Sequence, residues 1–348
     1  MVPAPAGGSC CNGSRAMGAD SSRLAVVDCG TNTFTLHIAD CSDGCWKSVF
    51  RQKRFVRLGR DSFRSGRLSP QRMRRGLDVL ASFLETARNY DVHHVRAFGC
   101  SALRDASNGR EFVRAAGTMG WHIEVIDGAA EAEWIHLGVV DTMSQMETLP
   151  DSLLTLDIGG GSVELVHWSE DGILGQWSLE LGVARLTDWI KPSDPLNRQD
   201  VESVHRIVDG ALVPVLDAVG DKGPQWMVGT SGAFNTLMAL EKAEAEWNDR
   251  RVADEFSQPE LLARCRALSL TCKPDLHDIP GMHPDRVPYM AMACALIEHL
   301  LLRFGTVERV FRSRHTLAEG VLAQAAAQGI VEDEEPGGRQ RPGQMLVG

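Results

Sequence analysis

The sequence predicts an α/β protein of two similar lobes with a cleft between them. Three observations carry this. The chain has 348 residues, 43% hydrophobic and 24% charged, more than one hydrophobic core usually serves. The stretch Leu24 to Asp40, LAVVDCGTNTFTLHIAD, returns 129 positions later as Leu153 to Ser169, LLTLDIGGGSVELVHWS. After each copy, helix-like and strand-like segments alternate, as they do in α/β folds.

The elements follow in order. Each copy reads as a buried strand, a turn of small residues and a second strand. The turns Ser42-Asp43-Gly44 and Glu170-Asp171-Gly172 then lead to third strands, near Trp46 to Val56 and Ile173 to Leu179. Ser69-Pro70 caps and opens a helix whose Met73, Leu77, Leu80 and Leu84 share a face. VHHVRAF and WHIEVI read as strands, a helix is expected to start near Asp105, and Glu131 to Val140 reads as a helix. The second half gives a helix over Val201 to Leu216, the strand QWMVG, helices from Ala233, Pro259 and Pro288, the strand VERVF and a helix from Leu317. The expected division is a disordered segment 1–22, a first domain 23–148, a second 149–330 and a disordered tail 331–348.

Composition excludes some classes. The net charge of −10 argues against general nucleic-acid binding. No apolar run approaches the ~20 residues of a membrane span, and the first residues carry no apolar core of a secretory signal. Nine cysteines at spacings that fit no disulfide framework predict a reduced, cytoplasmic chain. The charge is uneven, however. Arg51 to Arg75 holds ten basic residues and one acid, Asp61. Such a run is either a solvated surface or a track for a long polyanion, with Arg57, Arg60, Arg64 and Arg67 as candidates.

The duplicated turns suggest chemistry. Small residues let successive backbone N–H groups approach an anion, so each turn is a candidate phosphate cradle. Gly30, Thr31, Asn32 and Thr33 form one, and Gly159, Gly160, Gly161 and Ser162 the other. Two cradles in register would face each other across the cleft, and the acids that open them, Asp28 and Asp157, could serve a bound cation. Gly229, Thr230, Ser231 and Gly232, between a strand and a helix, offer a third.

The paired motifs resemble the actin-like (ribonuclease H-like) ATPase fold. Within it the chain resembles the exopolyphosphatase and guanosine pentaphosphate phosphatase family, Ppx/GppA. The stretches that match are DCGTNTFTLHIA, RLG, SALRDASN, IDGAAEAEWIHLGV, DIGGGSVEL, LELGVARLT and GTSGAFNTL, in family order from about Leu24 to Gln328. The resemblance implies that Glu131 is the base that activates water and that Arg104 grips phosphate at the reacting end. It also implies that Asp157 and Glu164 serve a metal, Mg2+ or Mn2+. Helix capping is the plain alternative for Glu131, and a surface ion pair for Arg104. The chain departs from the family pattern at Thr35, where Arg or His is usual, and at Ala130, Pro288 and Ala318.

The function expected is metal-dependent release of terminal phosphate from inorganic polyphosphate, with guanosine pentaphosphate as a second candidate substrate. No nucleic acid or membrane partner is expected, and a homodimer is a candidate assembly. Two other readings stand beside it: an actin-like sugar or metabolite kinase, and a non-catalytic polyphosphate or nucleotide sensor.

Overall fold

A computed structural model describes residues 22–328 apart from 43, 145, 147–148, 222 and 243–252. The expected tail, the N-terminal segment before Ser22 and the turn residue Asp43 lie outside them.

The first lobe begins with the hairpin strands β1 (Ser22–Cys29), β2 (Thr33–Ser42) and β3 (Cys45–Phe55). The helices α1 (Ser62–Ser65) and α2 (Pro70–Asn89), strand β4 (His94–Gly99), helices α3 (Ser101–Asp105) and α4 (Gly109–Gly117), and strand β5 (Ile123–Val125) follow. Helix α5 (Gly128–Met143) leads into the second lobe. That lobe opens with β6 (Ser152–Ile158), β7 (Val163–Ser169) and β8 (Gly172–Leu179), then α6 (Val183–Ile190) and α7 (Arg198–Val219). It continues through β9 (Trp226–Thr230), α8 (Ser231–Lys242), β10 (Ala253–Phe256), α9 (Gln258–Ser269) and α10 (Lys273–Asp278). Helix α11 (Val287–Arg303), strand β11 (Arg309–Ser313) and helix α12 (Leu317–Gln328) complete it.

The two sheets share one plan. The first has the order β3-β2-β1-β4-β5, and the second β8-β7-β6-β9-β11-β10. Both begin as an antiparallel meander and continue with parallel strands, and β10 adds an antiparallel edge. The duplication extends to register. Asp28 pairs with Thr35 across the first hairpin, and Asp157 with Glu164 across the second. Each turn closes with the same bond, Gly30 N to Thr33 O and Gly159 N to Ser162 O, both 3.1 Å.

Local sequence explains much of this. The Ser69 hydroxyl accepts from Arg72 N at the start of α2, and Pro70 fills the first helical position. The buried face of α2 is Gly76, Leu80, Phe83 and Ala87, with Met73, Leu77 and Leu84 at its flank. The face shares Leu80 with the expected one but is turned toward Phe83, because Gly76 and Ala87 beside it allow close approach, a Cβ on Gly76 lying 2.9 Å from the Phe112 ring. The segment SALRD is itself a helix, so the helix expected near Asp105 starts earlier, at Ser101.

Side-chain packing ties the lobes together. One apolar cluster fills the α2 and α4 side of the first sheet, and a larger one packs the second sheet against α7, α8, α9 and α11. The other faces meet in the middle. Helix α12, last in sequence, packs Leu317, Ala318, Val321 and Leu322 on Leu24, Val26 and Trp46 of the first sheet. Helix α5 reaches the second sheet through Val139 and Met143. The two helices cross at Gly138 and Gly320. A Cβ on Gly320 would lie 1.8 Å from the Trp134 carbonyl oxygen, and one on Gly138 2.5 Å from Thr316 O. Polar bonds fix the crossing: Glu319 is held by His37 Nδ1 at 3.0 Å and Arg51 at 3.1 Å, and His315 pairs with Asp141 at 3.0 Å.

Among the described residues no helix is long and apolar enough to cross a membrane. Cys29, Cys41, Cys100, Cys265, Cys272 and Cys294 are free thiols. Cys45 is disulfide-bonded, which departs from the expectation that every cysteine is reduced.

The crossing makes a stability prediction. Gly320→Ala should lower stability by about 1–3 kcal/mol, since backbone on the facing helix cannot yield to the added methyl. Gly210→Ala, in the middle of α7 with open space around it, should raise stability by about 0.5–1 kcal/mol. Denaturant unfolding of both variants checks this, and a neutral Gly320→Ala would show that the helices are not in close contact.

Candidate active site

The cleft lies where the two hairpin turns meet. Gly30, Thr31, Asn32 and Thr33 line it from the first lobe, and Gly159, Gly160, Gly161 and Ser162 from the second. The turns touch: a Cβ on Gly160 would lie 2.7 Å from Asn32 Nδ2 and 2.8 Å from Thr31 Cγ2. Only glycine allows that approach. Arg185 of α6 clamps the arrangement, donating to Gly161 O at 2.6 Å and Ser101 Oγ at 3.1 Å, and pairing with Asp105 of α3. At the mouth, Arg57 bonds Asp285 across the lobes at 2.7 Å, and Phe55 stacks on His283 with ring centroids 5.0 Å apart.

Of the third expected cradle, Ser231 and Gly232 line the cleft. Gly229 and Thr230 do not. Gly229 sits in β9 against the Phe234 ring, and the buried Thr230 hydroxyl donates to His315 O at 2.6 Å.

Carboxylates gather in the cavity, with Asp28 lining it from the first lobe. Asp157 and Glu131 line the cavity, and Glu164 is buried on the same rung as Asp157. Glu131 stands in the first turn of α5, whose N-cap Asp127 accepts from Ala130 N. Burial raises its carboxyl, against the pull of Arg104. Burial and the Glu131 charge push Asp157 and Asp28 up to about 7, and Glu164 well above its ordinary range.

Arg104 does not line the cavity. It stands behind Glu131, donating to Glu131 Oε2 at 3.1 Å and to Ile126 O at 2.9 Å, with Asp105 Oδ1 at 3.7 Å. In this state it holds the carboxylate in place.

The carboxylates suit a hard cation. Asp157 Oδ1 and Glu164 Oε2 are buried and meet no hydrogen-bond donor, and they sit on one rung. Among the described residues no group of three or more His, Cys, Asp or Glu makes a ready cage. A two-carboxylate site that leaves the remaining positions to water and phosphate is the way Mg2+ is usually held.

Several cleft residues escape the sequence reading. Lys53, Cys100, Ser101, Arg286 and Tyr289 all line the cavity. The Arg286 guanidinium lies over the Phe55 ring at 5.0 Å, and burial pushes it down to about 10. Lys53 belongs to the basic run, whose charge was legible but whose direction was not. Of the four arginines expected on a track, Arg57 is half-buried at the mouth, while Arg60, Arg64 and Arg67 are exposed. None of the four lines the cavity. The charges of Arg60, Arg75 and Arg57 instead bear on Arg72 of α2.

The chain is similar to known proteins along most of its length. The model of the Ppx/GppA phosphatase family matches residues 37–328. Exopolyphosphatase 2 of Mycobacterium tuberculosis is 29% identical over 318 residues, covering 87% of this chain and 98% of that protein. A guanosine-5'-triphosphate,3'-diphosphate pyrophosphatase of Aliivibrio fischeri is 27% identical over 314 residues, 89% of this chain but 59% of that protein. The crystal structure of an exopolyphosphatase from Cytophaga hutchinsonii superposes with a TM-score of 0.82 at 31% identity, covering 89% of this chain and 99% of that one.

The raised carboxyls make a pH prediction. Asp157 titrates near 7 in the folded chain and near its ordinary 3.8 when unfolded. Between those values the folded state keeps a proton that the unfolded chain has lost, so stability falls as pH rises. In metal-free buffer Asp157→Asn should match the wild type at pH 4 and exceed it by about 1–4 kcal/mol at pH 8. Unfolding curves across that range test it, and a gap that stays constant with pH would count against the burial of this charge.

Proposed function

The chain belongs to the Ppx/GppA phosphatase family, and on that premise we propose that it hydrolyses the terminal phosphoanhydride bond of inorganic polyphosphate. The observation that carries the reading is the placing of Glu131. A buried carboxylate with a raised proton affinity borders the same cavity as two opposed turns of small residues. Polyphosphate is preferred to guanosine pentaphosphate because the relatives named exopolyphosphatase match over nearly their whole length.

The chain's own groups divide the work. N–H groups of the turns at Gly30 to Thr33 and Gly159 to Ser162 hold phosphate oxygens. Glu131 takes the proton of a water whose oxygen bonds the terminal phosphorus, while the bond from that phosphorus to the bridging oxygen breaks. Arg104 fixes the orientation of Glu131, and a direct role on phosphate would require it to leave that pair. Asp157 and Glu164 would hold Mg2+ or Mn2+, which when bound neutralises charge on the phosphate oxygens. Arg57, Arg60, Arg64 and Arg67 would meet a longer chain beyond the mouth. The same reading takes the protein as cytoplasmic, free of nucleic acid and membrane, and able to form a homodimer.

Two measurements test it. Glu131→Gln keeps size and removes the base, so phosphate release from polyphosphate should fall by about 10²–10⁴-fold while tripolyphosphate still binds. A near wild-type rate would exclude Glu131 as the base. Glu164→Ala should raise the Mg2+ concentration needed for half-maximal release, and full activity of the wild type in excess EDTA would overturn the metal requirement.

A further inference from the structure

The duplicated hairpins place unlike groups on equivalent rungs. In the second lobe the rung runs Asp157, Glu164, Ser178, and in the first Asp28, Thr35, Lys53. Ser178 Oγ donates to Glu164 Oε1 at 2.8 Å, so the third member of that rung serves the second. In the first lobe the second member is a threonine, and Lys53 has no carboxylate beside it on its strand neighbour.

Lys53 lines the cleft, and among the described residues it makes no hydrogen bond or ion pair. The first turn lies close by. Strand β3 runs directly into Val56 and Arg57, whose N–H groups both bond Asn32 O, at 3.0 and 2.8 Å. The ammonium is thus an unpartnered cation in a cavity shared with an N–H-rich turn. Its surroundings are adverse: burial first, then Arg286 and Arg51, push it down to about 7. Asp28 and Glu319 draw it the other way without bonding it, so the ammonium keeps donors that an anion in the cavity could take.

We propose that Lys53 is a substrate-binding residue whose ammonium donates to a non-bridging oxygen of the phosphate seated in the first lobe's turn, Gly30 to Thr33. The ligand class is a phosphoanhydride polyanion, so the inference rests on the reading above. The first lobe would then grip the chain through Lys53 while Asp157 and Glu164 stay on the other wall.

Lys53→Met keeps the length of the stem and removes the charge. It should fold with an unchanged or higher melting temperature, because a half-buried charge that makes no hydrogen bond or ion pair is lost. Calorimetric titration with inorganic tripolyphosphate in EDTA should show binding at least about tenfold weaker than for the wild type, the loss of one charge-assisted hydrogen bond. A second measurement uses the wild type alone. An amine-reactive reagent near pH 8 should label Lys53, and tripolyphosphate should protect it while sodium chloride of equal ionic strength does not. Equal affinity in the two chains, no binding by the wild type, or labelling unaffected by tripolyphosphate would each overturn the assignment. The two readings fail separately. A wild type that binds tripolyphosphate through Lys53 yet releases no phosphate from polyphosphate defeats hydrolysis alone, and an active enzyme with equal affinities defeats the Lys53 contact alone.

Discussion

The crossing of α5 and α12 at two glycines is the contact on which the rest of the molecule depends. Each helix follows the last strand of one lobe's parallel set and packs on the sheet of the other. Their N-terminal ends both reach the cleft, where Glu131 and Ile135 of α5 and Thr316 and Leu317 at α12 form part of the wall. The crossing therefore fixes the spacing of the two turns as well as the spacing of the sheets. It also brings the positive dipole ends of two helices to the cavity, although side chains already cap Ala130 N and Thr316 N. The buried Glu319, held by His37, Arg51 and the Thr316 N–H, anchors this geometry to the first sheet.

The two lobes use one backbone frame for different electrostatics beyond the shared Asp28 and Asp157. The second presents Asp157 and Glu164 oxygens that no donor meets, and the first sets the Lys53 ammonium, which makes no hydrogen bond, on the same rung as Asp28. Neither arrangement favours the fold by itself. Each costs desolvation that a ligand of the complementary sign would relieve, and this is how a binding site differs from a core. The clamps that hold the lobes, Arg185 on Gly161 and Asp105 and Arg57 on Asp285, are by contrast formed within the protein as hydrogen bonds or ion pairs.

The local signals were read directly from the chain. The 129-residue offset gave both hairpins, and the offset survives in the register of Asp28 with Thr35 and Asp157 with Glu164. The Ser69 cap and Pro70 located α2, and the two turns of small residues emerged on opposite walls of one cavity. What escaped was set by tertiary packing. Nothing in the pattern of α12 says that it covers the first sheet. Lys53 alternates along β3 with residues of the same charge, and only the pairing with Thr35 shows which face it takes. Arg104 was expected to grip phosphate, and its bond to Glu131 was not legible, because it depends on a loop and a helix start 22 to 27 residues away. Strand β10 is four residues long, beside a segment with little apolar content, and gave no periodic signal.

The exchanged helices also constrain how the chain acquires its shape during synthesis. Proteins of two domains commonly finish the N-terminal one before the next is made. Here the first lobe leaves Leu24, Val26 and Trp46 without their cover until Leu317 to Ala326 has left the ribosome. The lobe that is translated first is completed last, and the apolar face it shows meanwhile must be kept from other chains by α5 alone.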